Sequence, residues 1–287
     1  MKNALIRGVA AASIAALAGA AHAELMYGTT SVGFLLSWDS ATPANPISGV
    51  AISGLENNEQ VVGMDFRPAD NQLYALGSFG NIYTLNTFTG EATSVGAITG
   101  ATLNGAAFGF DFNPVVDRIR VVSDTNQNLR LNPTVSPITA TADGDLTYAA
   151  GDVNFGRDQD VSFAAYTNSF AGAGFTQLFV IDSDADVLGR LDDPNSGQIT
   201  TVGGLGVDIG ARGGFDFSPS TNTGWVVATP VTDSTSKLYR IDNTTGQLTL
   251  IDEIAGGLDI RTLAVVPAPG SFLVFAGAAL AVARRRR

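Results

Sequence analysis

Three aspartates occupy the same position in a repeated six-residue phrase, and their carboxylates are the groups best placed to do chemistry. Asp65, Asp111 and Asp216 each stand third in the copies at residues 63–68, 109–114 and 214–219. If the copies converge on one axis, the carboxylates could bind a cation through oxygen or supply the acid pair of glycoside hydrolysis. The alternative is a structural repeat, in which each aspartate accepts hydrogen bonds from the proline turn that follows it. The recurrence favours a structural role.

The sequence lacks the side chains that most catalytic and metal sites require. There is no cysteine, and the only histidine, His22, lies in a segment that we expect to be removed. Thiolate catalysis, a Ser-His-Asp triad and imidazole metal sites are therefore excluded from residues 24–266. We expect no catalytic residues and no cofactor, with Ca²⁺ as the one ion to consider. A carboxylate-dependent enzyme acting on polysaccharide is the rival hypothesis.

A run of alternating aspartates has the spacing of a calcium-binding loop. Asp182, Asp184 and Asp186 match its first three ligands, but Val187 replaces the sixth-position glycine and Asp193 replaces the twelfth-position glutamate. The three aspartates are candidate metal ligands, and a solvated turn between two strands is the alternative.

Arginines are concentrated in one part of this acidic chain, at Arg118, Arg120 and Arg130. They could form ion pairs with Asp117 and Asp124, or they could bind carboxylated sugars. The long connection at residues 139–160 is a second candidate surface, since such connections often carry binding residues; a plain acidic loop is the alternative. Its aspartates are Asp143, Asp145, Asp152, Asp158 and Asp160.

The spacing of the phrase predicts the fold. Taking Phe66, Phe112, Tyr166, Phe217 and Val265 as equivalent, successive copies are 46, 54, 51 and 48 residues apart. The intervening sequence alternates apolar and polar residues in short runs bounded by turns, which is typical of antiparallel strands. A period near fifty built from such strands predicts an all-β protein with radially arranged units.

The two ends of the body supply complementary partial units. Residues 25–28, 34–38 and 47–52 match strands two, three and four of a unit, whereas residues 262–266 match a first strand with nothing after it. Pairing them would close a ring without exposed edges. We therefore predict a five-bladed β-propeller closed by the N-terminal strands pairing with the C-terminal strand. A β-sandwich or an open β-repeat is the alternative.

Residues 1–23 have the pattern of a signal peptide. Lys2 and Arg7 precede an apolar run, and Ala23 ends a small-x-small motif of the kind that signal peptidase cuts. Cleavage there would make Glu24 the first residue of the mature chain.

The C-terminal segment, residues 267–287, has the composition of a transient anchor. Pro267, Pro269 and Gly270 precede a 13-residue apolar span and four arginines. A helix of that length reaches about 20 Å, short of the ~30 Å hydrocarbon core, and the arginines would stay in the cytoplasm. We expect transient anchoring in the inner membrane as the only membrane contact; an ordinary tail anchor is the alternative.

This tail is similar to the PEP-CTERM sorting signals of Gram-negative bacteria, with Pro-Ala-Pro-Gly in place of the eponymous Pro-Glu-Pro. The resemblance implies cutting near the proline motif by an exosortase-like enzyme. It also implies export to the cell surface, the outer membrane or an extracellular exopolysaccharide matrix.

The body, residues 24–266, is one domain by length and strongly acidic. It holds all 27 acidic residues but only ten of the sixteen basic residues, so its net charge is −17. Such a charge opposes binding to nucleic acid or anionic lipid.

The body is also similar to a family of secreted bacterial proteins known only as a domain of unknown function. The residues that carry the resemblance are 63–68, 73–77, 108–124, 128–133 and 143–146. It implies secretion and a propeller-like fold, and it carries over no activity. We therefore expect a secreted, non-catalytic propeller that acts as a binding or structural module, with exopolysaccharide or a surface protein as partner. A calcium-stabilised extracellular module is a further alternative.

Overall fold

The computed structural model describes residues 23–267, and every regular element in that range is a β-strand. The strands are β1 (Leu25–Thr29), β2 (Phe34–Asp39), β3 (Ser48–Ala51), β4 (Val61–Phe66), β5 (Leu73–Gly77), β6 (Asn81–Leu85), β7 (Ala92–Thr99), β8 (Phe108–Asn113), β9 (Arg118–Ser123), β10 (Asn128–Asn132), β11 (Ile138–Ala142), β12 (Thr147–Tyr148), β13 (Val161–Tyr166), β14 (Leu178–Asp182), β15 (Val187–Leu191), β16 (Gln198–Gly204), β17 (Ile209–Phe217), β18 (Gly224–Pro230), β19 (Lys237–Ile241), β20 (Leu248–Glu253) and β21 (Ala264–Val265). Within these residues no helix has the length and apolar character needed to cross a membrane.

The strands form four sheets, and the all-β prediction is confirmed. Their orders are β21-β1-β2-β3, β4-β5-β6-β7-β11-β10-β9-β8, β12-β16-β15-β14-β13 and β17-β18-β19-β20. The eight-stranded sheet consists of two four-stranded antiparallel runs joined by the parallel pair β7–β11. The short β12 adds to the outer strand β16 in parallel. Apart from β12, each sheet is therefore built from runs of four antiparallel strands.

The beginning and the end of the described chain pair with each other. Strand β1 is antiparallel to β21, with Met26 opposite Val265 and Tyr27 opposite Ala264. The hydroxyl groups of Thr29 and Thr262 also lie 2.9 Å apart in a hydrogen bond. The sheet that contains the first three strands is thus completed by the last strand.

The first strand of each four-stranded run contacts the first strands of its neighbours, and the part that carries the repeated phrase or its equivalent is largely buried. Strand β4 contacts β8, β8 contacts β13, β13 contacts β17, β17 contacts β21, and β21 contacts β4. We call these five the inner strands. The five residues taken as equivalent in the sequence all lie on them, and each belongs to a different apolar cluster. Each cluster combines side chains from two neighbouring runs, so the core lies between runs packed against each other.

Two strands lie where the sequence predicted only a long connection. Residues 139–160 contain most of β11 and all of β12. The sequence of β11, Ile-Thr-Ala-Thr-Ala, has small and polar residues because most of the strand faces solvent. A strand on an outer edge therefore carries little of the apolar alternation on which the prediction depended.

The glycine that opens the phrase allows two inner strands to approach closely. A Cβ added to Gly63 would lie 2.5 Å from Cβ of Phe110, and one added to Gly109 would lie 2.6 Å from the backbone N of Ala164. Each clash falls on the next inner strand. Any larger residue at the first position of the phrase would push neighbouring sheets apart.

We predict that Gly109→Ala lowers the free energy of unfolding by about 1–3 kcal/mol, the usual cost of overpacking a core. Gly174→Ala is the matched control, because Gly174 has an ordinary backbone conformation and no atom within 4 Å of an added Cβ. Urea unfolding followed by tryptophan fluorescence measures both. Equal stability of the two variants would contradict the close approach.

Candidate functional site

The inner strands bring the three repeated aspartates together at the centre of the protein. Asp65 lies on β4, Asp111 on β8 and Asp216 on β17, and their side chains are only 1–2% exposed. One carboxylate oxygen of each lies within 4.8 Å of the others. Among residues 23–267, no other group of three or more acidic or histidine side chains is close enough to share a metal ion.

Each of these carboxylates accepts a hydrogen bond from the backbone of the next inner strand. Asp65 Oδ2 accepts from the N–H of Phe112 at 2.8 Å, and Asp111 Oδ1 accepts from the N–H of Tyr166 at 3.0 Å. Asp216 Oδ2 accepts from the N–H of Val265 at 2.6 Å. The expectation of bonds to the proline turn is therefore wrong, because these side chains reach across to a neighbouring strand.

The second oxygens of two carboxylates are left without partners. Asp111 Oδ2 and Asp216 Oδ1 are buried and form no hydrogen bond with any described residue. Burial raises the pKa of Asp65 to about 7, and the N–H bond to Phe112 only partly opposes this. Burial also raises the pKa values of Asp111 and Asp216 well above normal. Repulsion from nearby carboxylates adds to this effect, and Asp65 contributes to it at both residues. The site therefore favours protons or another positive charge.

A narrow passage separates the carboxylates from solvent. A cavity of about 670 Å³ opens where the inner strands begin and is lined in part by residues 52–62 and by Arg212 and Arg261. Below it, the glycines of the phrase line a space of only about 10 Å³. This is at the lower limit of the space that can hold one water molecule. The aspartates stand two residues further along their strands, so a sugar ring could not reach them through this space.

The predicted calcium loop divides its carboxylates among different partners. Asp182 is buried and accepts from the Tyr148 hydroxyl at 2.6 Å. Asp184 is largely exposed and forms an ion pair with Arg157, and Asp186 accepts from the N–H of Ile209. These contacts join the loop to neighbouring segments of the chain.

The arginines suggested by the sequence line a common cavity of about 340 Å³, together with Asn195 and Tyr166. Arg120 is buried and donates to Asp143 at 2.8 Å and to Asn195 at 2.9 Å. Arg130 also donates to Asp143, but its side chain is 38% exposed. Two guanidinium groups therefore share the Asp143 carboxylate, and Arg118 donates instead to the backbone carbonyls of Val116 and Asp117.

The ion-pair partners of this cluster differ from those expected. Asp117 pairs with Arg67, which lowers the pKa of Asp117. Asp124 accepts from the N–H groups of Ala106 and Ala107. The sequence suggested Asp117 and Asp124, which are close to the arginines along the chain. In the fold, Asp143 forms the ion pairs with Arg120 and Arg130 instead.

The remaining aspartates of residues 139–160 mostly hold loops in place. Asp152 accepts from the backbone and hydroxyl of Thr201, and Asp158 accepts from Asn126. Burial raises the pKa of Asp160. Asp145 lies in the turn before β12 and is exposed.

Glu24 is a buried carboxylate that the sequence gave no reason to expect. Its Oε2 accepts from the indole N–H of Trp225 at 2.6 Å, and its Oε1 accepts from the hydroxyl groups of Ser218, Ser220 and Thr221. Its backbone N donates to Ser40 Oγ at 2.9 Å. Glu24 belongs to no repeat, and its position after a predicted cleavage site was the only available signal.

The other predicted processing residues lie at the limits of the description. Ala23 is exposed and Pro267 is half-buried. Pro269, Gly270, most of the signal segment and the rest of the tail lie outside the described residues, so those assignments stay predictions.

The fold is similar to several solved structures at low sequence identity. The β-propeller domain of Myceliophteria thermophila Cps50 (Swd1) shares 12% identity with a TM-score of 0.40, covering 80% of this chain and 68% of that chain. The Dos1 propeller shares 13% identity with a TM-score of 0.41, covering 79% and 58%. A Bacteroides thetaiotaomicron protein of unknown function shares 11% identity with a TM-score of 0.49, covering 86% and 67%.

No curated protein sequence matches this chain. One family does match, over residues 34–264, and its description is a domain of unknown function, DUF4394. This range includes the repeated phrase, four of the five inner strands with the first residue of β21, and the arginine cluster. The chain therefore belongs to the DUF4394 family of domains of unknown function.

Proposed function

We propose that this protein is an exported, five-bladed β-propeller that binds an acidic exopolysaccharide without catalysis. In this proposal signal peptidase cuts after Ala23 and an exosortase-like enzyme cuts the tail near Pro267. The product is delivered to the cell surface, the outer membrane or the extracellular matrix after transient anchoring in the inner membrane.

Two contacts support the five-bladed arrangement. The inner strands contact one another in a cycle of five, and β1 pairs with β21. Counting each four-stranded run as a blade gives five, with the eight-stranded sheet contributing two. Closure through the chain ends would leave no inner edge open to another chain.

The observation that carries the binding role is the arginine cavity. Arg118, Arg120 and Arg130 line it in a body whose net charge is −17, and among residues 23–267 the carboxylate of Asp143 forms ion pairs with Arg120 and Arg130. Nε of Arg130 is buried and has no hydrogen-bond partner among residues 23–267. Guanidinium groups bind carboxylates with two parallel hydrogen bonds. A uronate residue of a polysaccharide has the charge and shape to occupy this cavity.

The geometry of the central aspartates supports a structural role over a catalytic one. Retaining glycosidases hold two carboxyl groups about 5 Å apart on either side of a bound sugar. Asp65, Asp111 and Asp216 have a similar spacing but are 1–2% exposed. Their bonds to neighbouring strands favour a role in joining the blades.

Binding to polygalacturonate tests the proposed ligand class. We expect the full chain to be retained by polygalacturonate in affinity electrophoresis, less strongly at high salt, and not by dextran. The double variant Arg118→Gln/Arg130→Gln should weaken binding at least about ten-fold, since two charge-assisted contacts are lost. Arg190→Gln is the control, because Arg190 is exposed and pairs with Asp192. Equal binding of both variants, or retention by dextran, would refute the proposal.

The role of the aspartates in joining inner strands is tested by comparing two substitutions at one position. Asp111→Ala leaves the N–H of Tyr166 buried without an acceptor, which costs about 1–3 kcal/mol. Asp111→Asn keeps an oxygen in that place. We therefore expect the alanine variant to be less stable than the asparagine variant by about that amount in urea unfolding. Two variants of the same stability would show that the bond to Tyr166 contributes nothing.

The raised pKa values predict that acid stabilises the centre of the protein. Because the folded protein holds these protons more tightly than the unfolded chain, their contribution is complete below the ordinary aspartate pKa and is lost as the pH rises to about 7. After refolding in EDTA, the wild type should therefore lose more thermal stability between pH 5 and pH 8 than Asp111→Asn. The negative charge of Glu24 also raises the pKa of Asp216, but Glu24 is present in both proteins and so does not affect the comparison. Parallel pH profiles would contradict this prediction.

A further inference from the structure

The three central carboxylates have too little compensation for the charge that they would carry. Each receives one N–H bond from the next inner strand, and Asp111 Oδ2 and Asp216 Oδ1 receive none. Within the described range, 23–267, no arginine or lysine is bonded to any of the three, whereas the buried side chain of Asp143 is bonded to two arginines. A buried anion without a partner is unstable. The charge must be removed by protons or balanced by a cation.

We propose that Asp65, Asp111 and Asp216 together bind one calcium ion at the centre of the inner strands. The two unpartnered oxygens and the convergence of the three side chains carry this inference. It goes beyond the proposed polysaccharide binding and does not depend on it, because the arginine cavity involves other residues.

The spacing of the oxygens suits a cation of calcium's size. Three atoms no more than 4.8 Å apart leave a point within about 2.8 Å of each of them. Calcium binds oxygen at about 2.3–2.6 Å, so small side-chain movements would complete the contacts. Magnesium requires about 2.0–2.1 Å and a nearly regular octahedron, which would demand larger shifts.

The donors also match the chemistry of calcium. Three carboxylates offer six oxygens, the lower limit of its coordination number when all of them are bidentate. An oxygen that accepts one N–H bond keeps a second lone pair. The N–H groups of Phe112, Tyr166 and Val265 therefore orient the ligands without using them up. They also stabilise the one negative charge that three carboxylates retain around a divalent ion.

Burial implies that the ion enters during folding and leaves slowly. The carboxylates are 1–2% exposed, and the space above them holds about 10 Å³. A hydrated calcium ion is too large for this passage. Protein folded with calcium should therefore keep the ion through gel filtration in calcium-free buffer and release it on unfolding.

Metal analysis of the full chain tests this directly. Protein unfolded in guanidinium with EDTA is refolded with CaCl₂, with MgCl₂ or with EDTA, gel-filtered, and analysed by inductively coupled plasma mass spectrometry and thermal unfolding. We expect about one calcium per chain after refolding with CaCl₂, and a melting temperature several degrees above that of the EDTA sample. Magnesium should give little of either effect.

Variants assign the ion to this site. Asp216→Asn should lose the bound calcium and the calcium-dependent rise in melting temperature. Asp184→Asn, in the exposed loop of alternating aspartates, should keep both. Loss of calcium from Asp184→Asn alone would place the ion in that loop and overturn the proposal.

The wild type alone is also decisive. If it holds no calcium after refolding with CaCl₂ and melts at the same temperature in EDTA, the carboxylates share protons and the proposal is wrong. That result would leave the polysaccharide binding of the arginine cavity untouched.

Discussion

The structure depends on the hydrogen bond between a buried carboxylate of one inner strand and a backbone N–H of the next. An inner strand pairs with its own sheet on one side only, so its other edge presents unpaired N–H groups. Such groups are costly to bury without an acceptor. Asp65, Asp111 and Asp216 supply acceptors at three of the five junctions between inner strands. Neighbouring sheets are thereby joined by polar contacts at the centre, while the apolar clusters join their faces.

The repeated phrase can be understood as one device with three parts. Its glycine allows the next inner strand to come close, its aspartate accepts the N–H of that strand, and the aromatic residue that follows packs in a cluster between two sheets. In the two copies that end in Tyr166 and Val265, Ala165 and Ala264 stand where the other copies have the aspartate, so these copies lack the acceptor. Five carboxylates would add two more negative charges to a site that already raises the pKa values of three. Electrostatic repulsion therefore limits how regular this repeat can be.

The sequence predicted the strands and the pairing of the two ends well, because both leave local patterns. The N-terminal unit begins at Leu25–Thr29 and has no first strand before it. The segment near Val265, with which it pairs, is a first strand with no further strands after it. The contacts of single side chains were harder to predict. A repeat shows that Asp65 and Asp111 are equivalent but not which backbone each one reaches. Arg120 meets Asp143 only because the chain folds back, and Glu24 contacts Trp225, which is 201 residues away in the sequence. Long-range partners of this kind leave no mark in local composition.

Amide hydrogen exchange by NMR tests most directly whether these carboxylates hold the inner strands together. We predict that the N–H groups of Phe112, Tyr166 and Val265 exchange about as slowly as those in the middle of the sheets, although they point away from their own sheets. Amides on the outer edges of β3 and β20 provide the comparison. If the three inner amides exchange as fast as those outer-edge amides, the carboxylates do not bond the neighbouring strands and the account of the centre is wrong.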